Sequence, residues 1–408
     1  MSTGTLFRWL EKHIKTDIHY LAHGGFWLLT ERVASILLTL ILGIAFGNLL
    51  TPSDYGIYKY VLATAIIINA FSLSGIGNII EQSSARNLDK MFLTGVRRYF
   101  TFSIVAVLLG IVFSLYYFSQ ENYLLGASFM LATIAMPCIK GFGFYVNFLQ
   151  GKKLFKTRSK FLILREALFV GIMVLMILYV KDISLIIATY FVSQAIFTFS
   201  GYLAVRKMLT NEKEDVSLFN FGNHISLMQL LTTVATQADK VLIFLLLGPT
   251  QLAIYAFALL PVEKMLQLNM VLSSLSLPRF SNRELKDIKK NILYKLVLLT
   301  FLMLCLVISY ITLAPTLFAL VLPAYQEAVF YSQILSLLLL SVPFVLITTM
   351  FQAHQKTREL YILNSIEPAT RIILMLILLP LYGVWGIISA LLIAKLIQVL
   401  TGIATIRP

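Results

Sequence analysis

Long apolar runs separated by short polar connections fill the chain from residue 26 onward. A helix needs about 20 apolar residues to cross a bilayer core. That window predicts twelve spans, at 26–49, 55–80, 99–118, 124–149, 161–180, 183–205, 221–247, 251–276, 293–313, 328–353, 362–381 and 384–405. The first 22 residues have a different pattern. Leu6, Trp9, Leu10, Ile14, Ile18 and Leu21 share one helical face, and Arg8, Glu11, Lys12 and Lys15 the other. This predicts an amphipathic helix over 1–22 lying in the membrane interface. It has no apolar core followed by a small-residue cleavage site, so no cleavable signal is expected.

Composition agrees with the pattern. Hydrophobic residues make up 59% of the 408 and charged residues 13%, whereas a soluble domain has about 45–50% and about 25%. The expected fold class is therefore an all-α polytopic membrane protein. Cys138 and Cys305 both lie in apolar runs and imply no disulfide framework.

Charge gives the orientation. The termini and every second connection hold 23 Lys and Arg residues, and the opposite connections hold only Lys181. Basic connections stay on the cytoplasmic side, so both termini are expected there. The net charge of +14 then reflects topology and contact with anionic headgroups, and it points to no nucleic-acid partner. The outward connections are short, the longest being APTLFALVLPAYQE from Ala314. The longest polar segment, 206–220, is a cytoplasmic linker that divides the spans six and six, into an N-lobe over 23–205 and a C-lobe over 221–408.

Six spans per half means that both halves start from the same side, which predicts a parallel repeat about an axis along the membrane normal. LLTPSDYGIY at 49–58 aligns without gaps with LLGPTQLAIY at 246–255, with five of ten positions identical. The same offset compares two polar stripes. Gln229, Thr232, Thr236 and Lys240 fall on one face of span seven, opposite Arg32, Ser35, Thr39 and Gly43 in span one. Two such stripes are expected to face each other across a wet cavity between two six-helix lobes.

Charges within spans carry the candidate chemistry. The bases are Arg32, Lys59, Lys140, Arg165, Lys240, Lys264, Lys295, Arg371 and Lys395, and the acids are Glu31, Glu166, Asp239, Glu263 and Glu367. A charge at bilayer depth costs roughly 2.5–3.5 kcal/mol even on lenient scales. Lys59, Lys295 and Arg165 lie near span ends and are expected to reach headgroups. Lys140, Lys240, Lys264, Arg371 and Lys395 lie too deep for that. Glu367 lies four residues before Arg371 and can pair with it. The acids are too few to pair every base, and the residual positive field favours an anionic substrate. No P-loop and no metal-ligand spacing occur, so no cofactor or metal is expected. Gly75–Ile76–Gly77 and Gly141–Phe142–Gly143 lie in apolar spans, as packing or bending points.

Five stretches, in chain order LLTPSDYGIY, SGIGNIIEQSSAR, QADKVLIFLLLGPTQLAIYAFA, LPAYQEAVFYSQILSL and LPLYGVWGIISALLIAKL, resemble those of the polysaccharide-export flippases of the MOP superfamily, the Wzx-type O-antigen and capsule repeat-unit transporters, and the resemblance runs from about residue 20 to the end. The last contains Pro380, Tyr382, Gly383 and Gly386 in a P-x-Y-G-x-x-G arrangement. The resemblance implies a transporter without enzymatic activity in a bacterial inner membrane. It would carry an undecaprenyl-diphosphate-linked oligosaccharide by alternating access, alongside a polysaccharide polymerase and a chain-length regulator. Arg32–Val33 is similar to the cavity-lining Arg-Val of the related lipid II flippases, which have fourteen spans; Glu31 departs from that pattern. The residues expected to meet diphosphate and sugar are Arg32, Lys140, Lys240, Lys264 and Arg371. Asp239, Glu263 and Glu31 are expected to couple or gate, and Ser35, Thr39, Gln229, Thr232 and Thr236 to line the cavity. A multidrug exporter of the same superfamily would favour buried acids over bases. A polymerase or glycosyltransferase would carry a substantial outward loop. The sequence shows neither feature.

Overall fold

The computed structural model describes residues 18–72, 75–215, 218–281 and 283–406. Most of the expected amphipathic segment at 1–22 lies outside them. All regular elements among the described residues are helical. In the first half these are α1 (Ile18–Leu49), α2 (Pro52–Ala70), α3 (Ile76–Ala85), α4 (Lys90–Ser119), α5 (Tyr123–Gly143), α6 (Tyr145–Gly151), α7 (Phe155–Tyr179) and α8 (Ile183–Arg206). The second half contains α9 (Leu218–Leu247), α10 (Pro249–Leu266), α11 (Leu268–Ser281), α12 (Leu285–Val321), α13 (Ala328–Leu335), α14 (Val345–Ala353), α15 (Thr357–Tyr382) and α16 (Val384–Ile406), with 3₁₀ segments at Pro323–Tyr325 and Ser336–Phe344.

Among the described residues, ten candidate spans are long and apolar enough to cross a membrane. The helices α2 and α10, kept more polar by Asp54, Lys59, Glu263 and Lys264, complete the expected twelve. Both halves run in the same order: a long helix, a broken one, a long one, a broken one, then two long ones. The breaks fall at equivalent places. The span of α2 and α3 is interrupted before Ile76, and that of α10 and α11 at Gln267; the fourth span bends at Phe144 in one half and winds as 3₁₀ over Ser336–Phe344 in the other. The Gly141–Gly143 motif thus sits at a bend.

The aligned decapeptides open α2 and α10. Pro52 and Pro249 occupy the first helical turns, where a missing N–H costs nothing. In the first, Thr51 Oγ1 caps the backbone N–H of Asp54 and donates to its carboxylate. In the second, Gly248 takes φ +89°, a conformation open to glycine. The two motifs also pack on each other. A Cβ at Gly56 would lie 1.9 Å from the Pro249 carbonyl oxygen, so only glycine lets the backbones approach this closely. Tyr55 stacks on Phe257 with centroids 4.2 Å apart, and Tyr60 on Phe244 at 3.8 Å.

Backbone packing divides the chain into two compact units. The first takes the described residues through Gly43 and then Phe71–Ser226, and the second takes Ile44–Ala70 and the described chain from Leu227. The α2–α10 contact accounts for the inclusion of 44–70 in the second unit. The first unit's core joins Ile80, Phe92, Tyr99, Tyr145, Phe148 and Val205. In the second, Ile292, Ile347, Met350, Phe351 and Leu363 pack together. Apolar rows such as Leu108, Val112 and Leu115, or Val297, Phe301, Leu304 and Ile308, remain exposed, as lipid-facing helix sides require.

The structure corrects the expectation that Ala314 begins an outward loop. α12 continues to Val321 with Pro315 inside it, and at 37 residues it is roughly 55 Å long, far more than a bilayer core. The linker is held at one end: Asp89, buried before α4, accepts from the backbone N–H and hydroxyl of Thr210 and pairs with Lys152, and Glu214 accepts from Thr94 and pairs with Lys90.

Candidate functional site

Asp239 is fully buried on the face of α9 that also carries buried Ala235 and Ile243. It is saturated with donors. Its Oδ2 accepts from the Tyr255 hydroxyl at 2.6 Å and from Arg371 Nη2 at 3.1 Å. Its Oδ1 accepts from the Lys240 backbone N–H at 2.8 Å and lies 3.7 Å from Lys240 Nζ. Lys240 Nζ lies 3.6 Å from Glu263 Oε1, and Arg371 Nη1 lies 3.7 Å from Glu367 Oε1. Lys59 on α2 is within the field of Glu263, and Lys395 on α16 within that of Glu367.

The ion pairs form a row of alternating sign through the second unit, Glu263, Lys240, Asp239, Arg371 and Glu367, with Lys59 and Lys395 flanking it. Alternation explains why these groups are tolerated at depth. Lys240 and Arg371 each lie between two acids and Asp239 between two bases, whereas an unpaired charge would be strongly unfavourable. The flanking Lys59 and Lys395 bring the group to four bases against three acids, an excess of one positive charge. Prolines accompany it: Pro261 precedes Glu263 by two residues, and Pro368 stands between Glu367 and Arg371. A helix-interior proline bends the helix and frees a backbone carbonyl, which is tolerated at depth only where polar groups can answer it.

The expected stripe runs beside this face, about 100° round α9. Gln229, Thr236 and Lys240 are half-buried and Thr232 is exposed. The hydroxyl of Thr236 donates to the Thr233 carbonyl, and that of Thr39 to the Ser35 carbonyl. Such back-bonding ties the hydroxyl protons to their own helices and leaves the lone pairs outward. In the first unit, Glu31 Oε2 accepts from Arg158 Nη1 at 2.6 Å and from Ser159 Oγ at 3.0 Å. Glu31, Ser35, Arg165 and Glu166 line a cavity of about 100 Å³. Arg32 is half-buried on α1, Lys140 is exposed on α5 within the field of Arg165, and Lys264 is half-buried beside Glu263.

Asp239, Lys240, Glu263 and Arg371 of the expected set therefore meet in one network, and Glu31 and Ser35 share one cavity. Lys59 lies over the buried Tyr55 ring, 5.3 Å from its centroid. Arg165 turns toward Glu166 at 3.7 Å and lines the cavity. Tyr255, Arg158 and Ser159 were not expected. Tyr255 ends the second decapeptide, where the repeat marks it, but no helical spacing connects it to Asp239.

A family model described as polysaccharide biosynthesis protein matches residues 21–284. The chain belongs to that family. No curated protein matches it in sequence. This polysaccharide biosynthesis family member is similar in structure to the lipid II flippase MurJ in an inward closed conformation, with TM-score 0.69 at 13% identity over 95% of this chain and 88% of that one. It is also similar to an inward-facing multidrug resistance MATE family transporter of the MOP superfamily, with TM-score 0.66 at 13% identity over 91% and 94%. A third likeness is to a MOP superfamily transporter from Pyrococcus furiosus, with TM-score 0.57 at 13% identity over 95% and 94%. At such identities the likeness establishes the fold alone, and with the long apolar helices it gives a multi-pass membrane protein.

Proposed function

We propose that the chain is a flippase. It moves undecaprenyl-diphosphate-linked oligosaccharide repeat units from the inner to the outer leaflet of a bacterial cytoplasmic membrane, for O-antigen or capsule synthesis. Both termini are cytoplasmic in this reading. The observation that carries it is the charge row: a deep, base-rich network in a member of a polysaccharide biosynthesis family suits a cargo with an anionic headgroup.

The geometry supplies a mechanism. Arg371 is held by Asp239 and Glu367, and Lys240 by Asp239 and Glu263. A diphosphate offers several strong acceptor oxygens and competes for both bases. Its arrival shifts Arg371 and Lys240 away from Asp239, which then relies on Tyr255 or on a proton. Partner exchange thus couples cargo binding to helix position, with Asp239 and Glu263, and Glu31 in the first unit, as the coupling acids. Arg32, Lys140 and Lys264 supply further positive charge for the diphosphate, and Ser35, Thr39, Gln229, Thr232 and Thr236 the polar lining for the sugars.

In cells, deletion should leave lipid-linked repeat units on the cytoplasmic side and abolish surface polysaccharide. The second reading, a multidrug exporter, is favoured by the fold likeness to the MATE transporter. It predicts intact surface polysaccharide and altered drug resistance on deletion, and that result would replace the flippase reading.

A further inference from the structure

A second cavity, of about 150 Å³, lies in the second unit among α11, the 3₁₀ segment, α14, α15 and α16, and its polar lining is Asn269, Ser341, Thr348, Asn364, Lys395 and Gln398. It contains one formal charge, the Lys395 ammonium, and no acid among the lining residues. The Gln398 amide is oriented by its own bond, since Nε2 donates to the Leu363 carbonyl at 2.9 Å. Its Oε1 therefore faces Lys395 Nζ and accepts from it at 2.7 Å. That uses one of the ammonium's three donors. Glu367, the acid whose field reaches Lys395, pairs with Arg371. Asn269 adds a buried amide oxygen without a hydrogen-bond partner, and an amide flip would present its NH₂ there instead. Ser341 and Thr348 donate to the Leu338 and Val345 carbonyls and present lone pairs only.

We infer that this cavity is a binding site for a small monoanion, a halide or a carboxylate, held by Lys395 with the Asn269 and Asn364 amides. A metal cation is opposed by the lysine and by the lack of any acidic ligand. A diphosphate headgroup carries two or more negative charges and would meet a single base here. A monoanion supplies a countercharge inside the lining itself, where Lys395 shares Glu367 with Arg371. The wall that includes Ser341 is nine residues of 3₁₀ helix, and mid-helix stretches of that kind mark hinges. Occupancy therefore bears on the conformation of the tenth span. The anion has two possible sources, a free halide or the carboxylate of an acidic sugar in the cargo. The free-ion source depends on neither functional reading, and the acidic-sugar source rests on the flippase reading.

The test uses the full chain in lipid nanodiscs, melted in chloride, in glucuronate and in isethionate at matched ionic strength. Relative to isethionate, chloride should raise Tm saturably. Lys395→Met should raise the half-saturating concentration at least tenfold, and Lys395→Arg should keep it near wild type. If Lys395→Met fails to fold, Asn364→Leu should weaken saturation in the same direction. Saturation by glucuronate, in competition with chloride, assigns the site to an acidic sugar; saturation by chloride alone assigns it to a free ion; both support the site. Melting curves identical in all three salts, or saturation unchanged in Lys395→Met or its substitute, would overturn it.

Discussion

Asp239 is the residue on which the second unit's charge network turns. Removing one member of a buried, hydrogen-bonded charge pair costs about 3–5 kcal/mol, because the partner is left uncompensated. Asp239→Ala should therefore lower the melting temperature sharply in detergent. Asp239→Asn combined with Arg371→Gln should recover much of that loss, since neither charge is then stranded. A double variant no more stable than Asp239→Ala would show that the pair is not the source of the cost. Tyr255→Phe removes one hydrogen bond to a carboxylate and should cost about 1.5–3 kcal/mol. It keeps the ring, so expression should be normal, and its melting temperature reads the loss. Part of this network was legible in the sequence. Asp239 and Lys240, adjacent and about 100° apart on one helix, had to point to different surroundings, and the i−4 spacing of Glu367 to Arg371 is local. The Asp239–Arg371 bond joins residues 132 apart, and no periodicity encodes it. The Tyr55 ring under Lys59 was not legible either, because distance from a span end does not reveal an aromatic ring.

At the element scale, glycine and proline placed the helices, and their reasons became clear only with the neighbours present. Gly383 in the P-x-Y-G-x-x-G stretch has φ +57° and ends α15, and a Cβ on Gly386 would lie 2.1 Å from the Leu378 carbonyl oxygen. That motif is the geometry of a tight helical hairpin. Gly56→Ala should destabilise the α2–α10 contact and lower Tm. Gly171→Ala, whose Cβ would meet nothing within 4 Å, should leave Tm unchanged or raise it through helix propensity. Equal effects would refute the close-approach argument. The linker offers a pH test outside the membrane. Burial pushes the Asp89 carboxyl up, but hydrogen bonds from Lys152 and from the Thr210 backbone and hydroxyl outweigh it and hold the carboxyl below its ordinary 3.8. A depressed carboxyl contributes in full above the unfolded value and is lost as pH falls through the lower folded value. A spin label at residue 212 should thus stay immobile across the neutral range and loosen only in strong acid. Asp89→Asn should loosen it already at neutral pH. A label equally mobile in both proteins would show that the linker is not held there.

For the whole molecule, the twelve spans and their repeat were legible because bilayer thickness and hydrophobicity act through local sequence alone. Both halves show the same order of long and broken helices, with the paired decapeptides at equivalent places. The ends were less legible: α4 starts at Lys90 and α12 runs from Leu285 to Val321, because amphipathic turns continue a helix beyond the bilayer where no apolar window reports them. The packing of α2 with the second unit was also hidden, since it rests on contacts between distant motifs. The central claim, that the base-rich network carries a diphosphate-linked cargo across the bilayer, is tested most directly in liposomes. The purified chain would be reconstituted with a fluorescent polyprenyl-diphosphate-linked oligosaccharide, and outer-leaflet exposure followed by a membrane-impermeant quencher. Wild type should equilibrate the label between leaflets. Lys240→Ala and Arg371→Gln, inserted at equal levels, should slow equilibration at least tenfold. Wild-type liposomes no faster than protein-free ones, or variants as fast as wild type, would contradict the account.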